Sequence, residues 1–77
     1  MIMDFSDVIK GNYYYGYITS VLTHGYMVSF FNNIAGILQF KEIEEAGLDK
    51  NSFVLGQTVK VFVTYSNKES RRIGLSL

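Results

Sequence analysis

His24-Gly25-Tyr26-Met27-Val28-Ser29-Phe30-Phe31-Asn32-Asn33-Ile34-Ala35-Gly36-Ile37-Leu38 is the stretch that decides the fold, read with the closing run Arg72-Ile73-Gly74-Leu75-Ser76-Leu77. In both, glycine stands beside large residues inside alternating apolar runs, where it weakens an ordinary strand. Glycine in such places predicts sharply curved strands, which a small closed barrel needs and a flat sheet does not.

The flanking sequence fits that reading. Tyr13 to Val21 is rich in aromatic and β-branched residues, with Tyr13, Tyr15, Tyr17 and Thr19 on one face and Tyr14, Gly16 and Ile18 on the other. Thr23-His24-Gly25 reads as a bend into a second strand, Tyr26–Phe31, whose Val28 and Phe30 share a face. Asn32-Asn33 is a hairpin signal, because asparagine tolerates the positive φ of tight turns. A short third strand follows over Ile34–Leu38. Lys41–Ala46 is the one helical candidate, with Phe40 and Ile43 as core anchors and Gly47 to end it. Val59, Val61 and Val63 alternate with Lys60, Phe62 and Thr64, the period-2 pattern of a half-buried fourth strand. After a polar turn over Ser66–Ser70, Ile73, Leu75 and Leu77 alternate with Arg72, Gly74 and Ser76 as a fifth.

Five short strands with a single helical insertion cannot form a parallel α/β sheet, since each parallel crossover needs its own long connection. The expected fold is all-β: a five-stranded Greek-key barrel of the oligonucleotide/oligosaccharide-binding (OB) type, with a short helical segment between strands 3 and 4. An SH3-like five-stranded barrel is the alternative. Residues 1–9 read as an N-terminal extension and residues 10–77 as the domain. The last strand runs to the final residue, as expected of a domain within a longer protein.

Composition bounds the function. The 77 residues are 48% hydrophobic and 16% aromatic, which requires a packed core. There is no cysteine and one histidine, so cysteine-based zinc sites, histidine-pair metal sites and Cys/His nucleophiles are ruled out. No glycine-rich phosphate loop precedes a helix. Glu42, Glu44 and Glu45 on a short helix read as a solvated face, so no enzyme activity, cofactor or metal is expected. No apolar run approaches the roughly 20 residues that cross a bilayer, and no signal peptide is visible; the chain reads as soluble and intracellular, without a membrane role. Net charge is zero but unevenly spread. Residues 1–49 carry six acids against two lysines, a net of −4, and residues 50–77 carry five basic residues against Glu69, a net of +4. The basic half is either a patch for phosphates or ordinary surface charge.

From Lys10 to Leu77 the chain resembles the S1 RNA-binding domain family. The likeness is carried in order by Lys10-Gly11 with Gly16-Tyr17-Ile18-Thr19-Ser20-Val21, by His24-Gly25-Tyr26-Met27-Val28, by Gly36-Ile37-Leu38, by Gly56-Gln57-Thr58-Val59-Lys60-Val61 and by Arg72–Leu77. A narrower likeness, over Val28–Gly36 and Phe53–Gln57, is to the multi-S1-domain ribosomal RNA processing proteins of eukaryotic nucleoli. It implies a role in ribosome biogenesis in the nucleolus or nucleus; without it the cytoplasm is the expectation.

The resemblance implies an RNA surface of two aromatics on the second strand, a histidine after the third, and an Asp and an Arg flanking the last turn. By position these are His24, Met27, Gln39, Asn67 and Arg72. Only Arg72 keeps the family's residue. His24 can stack or donate to a phosphate, or serve as plain turn surface. Met27 offers apolar contact without a π face, and Gln39 can still hydrogen-bond a base. Asn67 reads equally as a turn residue. Tyr17, with Tyr15 beside it, can supply a missing ring or pack on a neighbouring domain; Phe31 and Phe62 are further outward aromatics, and Lys60, Lys68 and Arg71 can add phosphate attraction. The expected function is weak, non-catalytic contact with single-stranded RNA, a ribosomal RNA precursor on the narrower likeness, through Tyr17, His24, Met27, Gln39, Asn67 and Arg72. Neighbouring S1 domains in the parent chain are the expected companions. The alternative is a protein-interaction or spacer module on the same barrel.

Overall fold

The computed structural model describes residues 8–30, 34–67 and 69–77. The Asn32-Asn33 hairpin signal, Phe31 and Lys68 lie outside the described residues. The elements are β1 (Tyr13–Val21), β2 (Gly25–Ser29), β3 (Ala35–Gln39), α1 (Phe40–Glu45), β4 (Thr58–Asn67) and β5 (Arg72–Ser76). They close into one barrel in the order β1-β2-β3-β5-β4. All neighbours are antiparallel except β3 and β5, which run parallel. This is the expected five-stranded OB barrel with its short helix between the third and fourth strands.

Alternation sets the core. Ile18 of β1, Val28 of β2, Leu38 of β3, Val61 and Val63 of β4 and Leu75 of β5 face inward and are fully buried. Each aliphatic side chain so buried stabilises by about 1.5–3 kcal/mol. Ile43 of α1 is fully buried in the same core, and half-buried Phe40 meets the Tyr26 ring edge-on at 5.4 Å. The helix runs one residue earlier than Lys41–Ala46. It stops at Gly47 (φ 83°), where the Gly47 and Leu48 N–H groups donate back to the carbonyls of Glu44 and Ile43, a glycine-terminated cap. Val8, within the segment read as an extension, is buried in the core.

The glycines of the opening stretch serve close approach. A Cβ on Gly25 would collide with the Leu38 carbonyl and lie 2.8 Å from Gln39 Cα; one on Gly36 would lie 3.0 Å from the Leu75 side chain. At Gly25 only hydrogen fits between β2 and the β3 backbone, whereas at Gly36 the Leu75 side chain would have to give by a few tenths of an ångström.

Two bulges break the alternation. In β1 Thr19 is the extra residue, since Ile18 pairs with Val28 but Ser20 with Met27. In β4 it is Thr64, since Val63 pairs with Leu75 but Tyr65 with Gly74. Strict alternation from Val59 would have buried Tyr65; the bulge turns it outward, 49% exposed. β4 also runs on to Asn67, so the polar turn begins later than Ser66.

Candidate nucleic-acid interface

Register brings one transverse row of residues to the outer surface of β2, β3, β5 and β4. Met27 pairs with Ile37, Ile37 with Gly74, and Gly74 with Tyr65. Gly74 has no side chain, so the row is open at its centre. The result is an open groove of about 640 Å³, floored by Gly74 and walled by Met27, Ile37 and Tyr65. Ile37 is 43% exposed, an apolar side chain on the solvent phase of its strand.

The groove's two ends differ. Because β3 and β5 run parallel, Ala35 and Arg72 mark one end and Gln39 and Ser76 the other. Arg72 and Arg71 line the first end. Arg71 holds a left-handed φ of 55°, a conformation that costs a non-glycine residue about 1–2 kcal/mol. Gln39 and Glu42 line the second. Gln39 is the N-cap residue of α1 but makes no side-chain cap, and the Ser76 hydroxyl donates to Glu42 Oε2 at 3.2 Å.

The six residues singled out in the sequence divide. Met27, Gln39 and Arg72 all line the groove, with Arg72 and Gln39 at opposite ends. His24 is exposed in the β1–β2 turn, in a shallow depression that adjoins the groove through Ile37 and Gln39. Asn67 lies beside the groove, paired with Arg72. Its Oδ1 accepts from the N–H groups of Glu69 and Ser70, at 3.0 and 3.2 Å, and its Nδ2 donates to the Tyr65 hydroxyl at 3.1 Å. Both ends of the amide thus shape the β4–β5 turn and hold the Tyr65 ring.

Tyr17 is 44% exposed but outside the groove, at the point where β1 passes from pairing with β4 (Thr58) to pairing with β2 (Ser29). It belongs to a separate wall with Tyr13 and Tyr15. There Phe62 is not a free outward ring: it packs against Tyr13 at 4.9 Å, and Lys60 Nζ sits 5.1 Å over the Tyr13 ring, so both are engaged by a neighbour.

Tyr65, Ile37 and Glu42 escaped the sequence reading. An apolar residue on the polar phase of β3 was a legible sign of Ile37. Tyr65 had only the indirect sign of a glycine, Gly74, opposite an irregular strand end. Glu42 reads in sequence as part of a solvated acidic face, because its contact with Ser76 joins residues 34 positions apart.

Among the described residues no group of His, Cys, Asp or Glu gathers to hold a metal, and no helix is long and apolar enough to cross a membrane.

Barrel order and helix position define an OB-fold domain. The comparisons with known proteins agree on that class. The chain is 38% identical over 72 residues to the polyribonucleotide nucleotidyltransferase of Francisella tularensis subsp. novicida, which covers 94% of this chain. It spans about a tenth of the length of the curated relatives it matches (10%). Among solved structures, an uncharacterized protein of Methanocaldococcus jannaschii superposes with a TM-score of 0.81 at 21% identity, covering 91% of this chain and 92% of its own. A chain from the a/eIF2alpha–aDim2p–rRNA complex of Pyrococcus horikoshii superposes at 0.80 with 15% identity, over 91% of this chain and 44% of its own. These likenesses show the fold. No protein-family model matches the chain.

Proposed function

We propose that this chain is a non-catalytic module that binds single-stranded RNA within a larger RNA-handling protein. The observation that carries the reading is the groove, where an exposed ring, two apolar side chains and an arginine converge on a glycine floor. A base stacked on an aromatic ring gains about 1–3 kcal/mol, largely regardless of sequence. Arg72 supplies a phosphate contact. Tyr65 thus does the work expected of the missing family aromatics, with Met27 and Ile37 packing against the base. One ring and one or two cations give weak binding, made useful when several modules act on one strand. The sequence likeness to an enzyme named for polyribonucleotides, and the fold likeness to a chain from a complex that contains rRNA, support the same reading.

Its narrower form places the parent protein in ribosomal RNA processing in the nucleolus, on the strength of Val28–Gly36 and Phe53–Gln57. Fluorescent tagging of the full-length protein in its own cell tests that form, and exclusion from the nucleus would remove it. The test of binding itself is fluorescence anisotropy with a uridine decamer at low salt. Saturable binding is expected, with Tyr65→Ala weakening it about tenfold. Arg72→Ala should flatten the salt dependence by about one unit of log–log slope. Binding that ignores both substitutions would remove the groove as its site.

A second reading is favoured by the wall on β1, where Tyr13, Tyr15 and Tyr17 are 55%, 70% and 44% exposed and lie off the groove. Such a wall suits a protein contact. Self-association or partner binding that persists in high salt and is lost on Tyr15→Ala would support it, since phosphate-driven affinity collapses there.

A further inference from the structure

The groove is polar along its length, and that polarity says which base it accepts. At the Arg72 end it attracts phosphate; at the other end a carboxylate repels it. A nucleotide stacked on Tyr65 therefore lies with its phosphate toward Arg72 and its base edge toward Gln39 and Glu42. The strand segment between these ends, Arg72 to Ser76, spans roughly 13 Å at about 3.3 Å per residue.

Glu42 is suited to read an edge rather than to cap its helix. It sits at the third position of α1, from which a glutamate often reaches back to its own helix N-terminus. Here the Ser76 hydroxyl on β5 holds it across the groove's end instead. One hydrogen bond to Oε2 leaves most of the carboxylate's roughly four lone-pair sites open. Gln39, three residues earlier, lines the same end and brings amide N–H donors.

We propose that Gln39 and Glu42 make the groove selective for guanine, a specificity that rests on the RNA-binding reading above. Unpaired bases are read on their Watson–Crick edges. Guanine alone presents two adjacent donors there, N1–H and N2–H, beside the O6 acceptor. A carboxylate accepts the two donors in parallel, and the Gln39 amide donates to O6. Adenine and cytosine turn one donor and a ring-nitrogen lone pair toward the carboxylate. Uracil flanks its single donor with two carbonyl oxygens. Each of these places acceptor against acceptor.

The test is fluorescence anisotropy at low salt with uridine nonamers carrying guanine, inosine, adenine, cytosine or uridine at the centre. Guanine is expected to bind about tenfold tighter than adenine, cytosine or uridine. Inosine, which lacks the N2 amino group, should fall between. Glu42→Gln should erase the preference, bringing guanine and uridine to equal affinity, with a native circular dichroism spectrum as the control that the variant is folded. Equal affinity for all five, or a guanine preference that survives Glu42→Gln, would overturn the selectivity and leave RNA binding standing. Failure of every nonamer to bind would take down the RNA-binding reading and the selectivity with it.

Discussion

Gly25 lies buried where β2 passes the Leu38 carbonyl, and nothing larger than hydrogen fits there. Gly25→Ala must push β2 and β3 apart at a non-yielding backbone contact, at a cost of about 1–3 kcal/mol. In a domain of this size that lowers the melting temperature by roughly 4–8 °C per kcal/mol, measurable by circular dichroism. An unchanged midpoint would mean that the strands do not cross so closely. A glycine in this stretch was legible as a sign of close strand approach, but Gly25 itself reads as part of the bend Thr23-His24-Gly25, and only its pairing with Gln39 puts it inside β2. Residue roles at the groove were less legible. Arg72, Met27 and Gln39 could be aligned by position, whereas Asn67 looks the same in sequence whether it contacts RNA or caps a turn. Its bonds to Glu69, Ser70 and Tyr65 show that it shapes the turn, and they depend on where the chain turns back.

At the scale of the element, β3 carries the sharpest contrast in the molecule. Leu38 is fully buried, while its neighbour Ile37 stands in the groove. Leu38→Ala should cost about 2–5 kcal/mol in denaturant unfolding. Ile37→Ala should change stability by no more than about 0.5 kcal/mol yet weaken RNA binding several-fold. The reverse pattern would place β3 one residue out of register, since a one-residue slip exchanges the two faces. Phase was legible wherever alternation was unbroken: along β1 as far as Ile18, through β3, and over Val59 to Val63. It was not legible beyond the bulges. An extra residue in one strand inverts the phase of everything after it, and only the partner strand reveals it. That is why Tyr65, on an inward phase by simple counting, went unread as a groove ring.

At the scale of the whole molecule, the groove exists only because the barrel closes. Its floor and walls come from strands distant in sequence, joined where β3 meets β5 in parallel and β5 meets β4 across the Thr64 bulge. Strand number and the place of the helix could be inferred from period and turn residues, and they gave the fold class. The juxtaposition of Ile37, Gly74 and Tyr65 is a property of register, which no local pattern encodes. The same closure sorts the charge of a chain whose net charge is zero, setting Arg71 and Arg72 at one end of the groove and Glu42 at the other. It also separates the groove from the wall of Tyr13, Tyr15 and Phe62, so contact at one surface can be told by experiment from contact at the other. The most direct measurement is a two-dimensional NMR titration of the chain with single-stranded RNA at low salt. The account predicts shift changes concentrated on Met27, Ile37, Gln39, Tyr65, Arg72 and Gly74, with Tyr13, Tyr15 and Phe62 still. Changes confined to the tyrosine wall, or none at millimolar RNA, would contradict it.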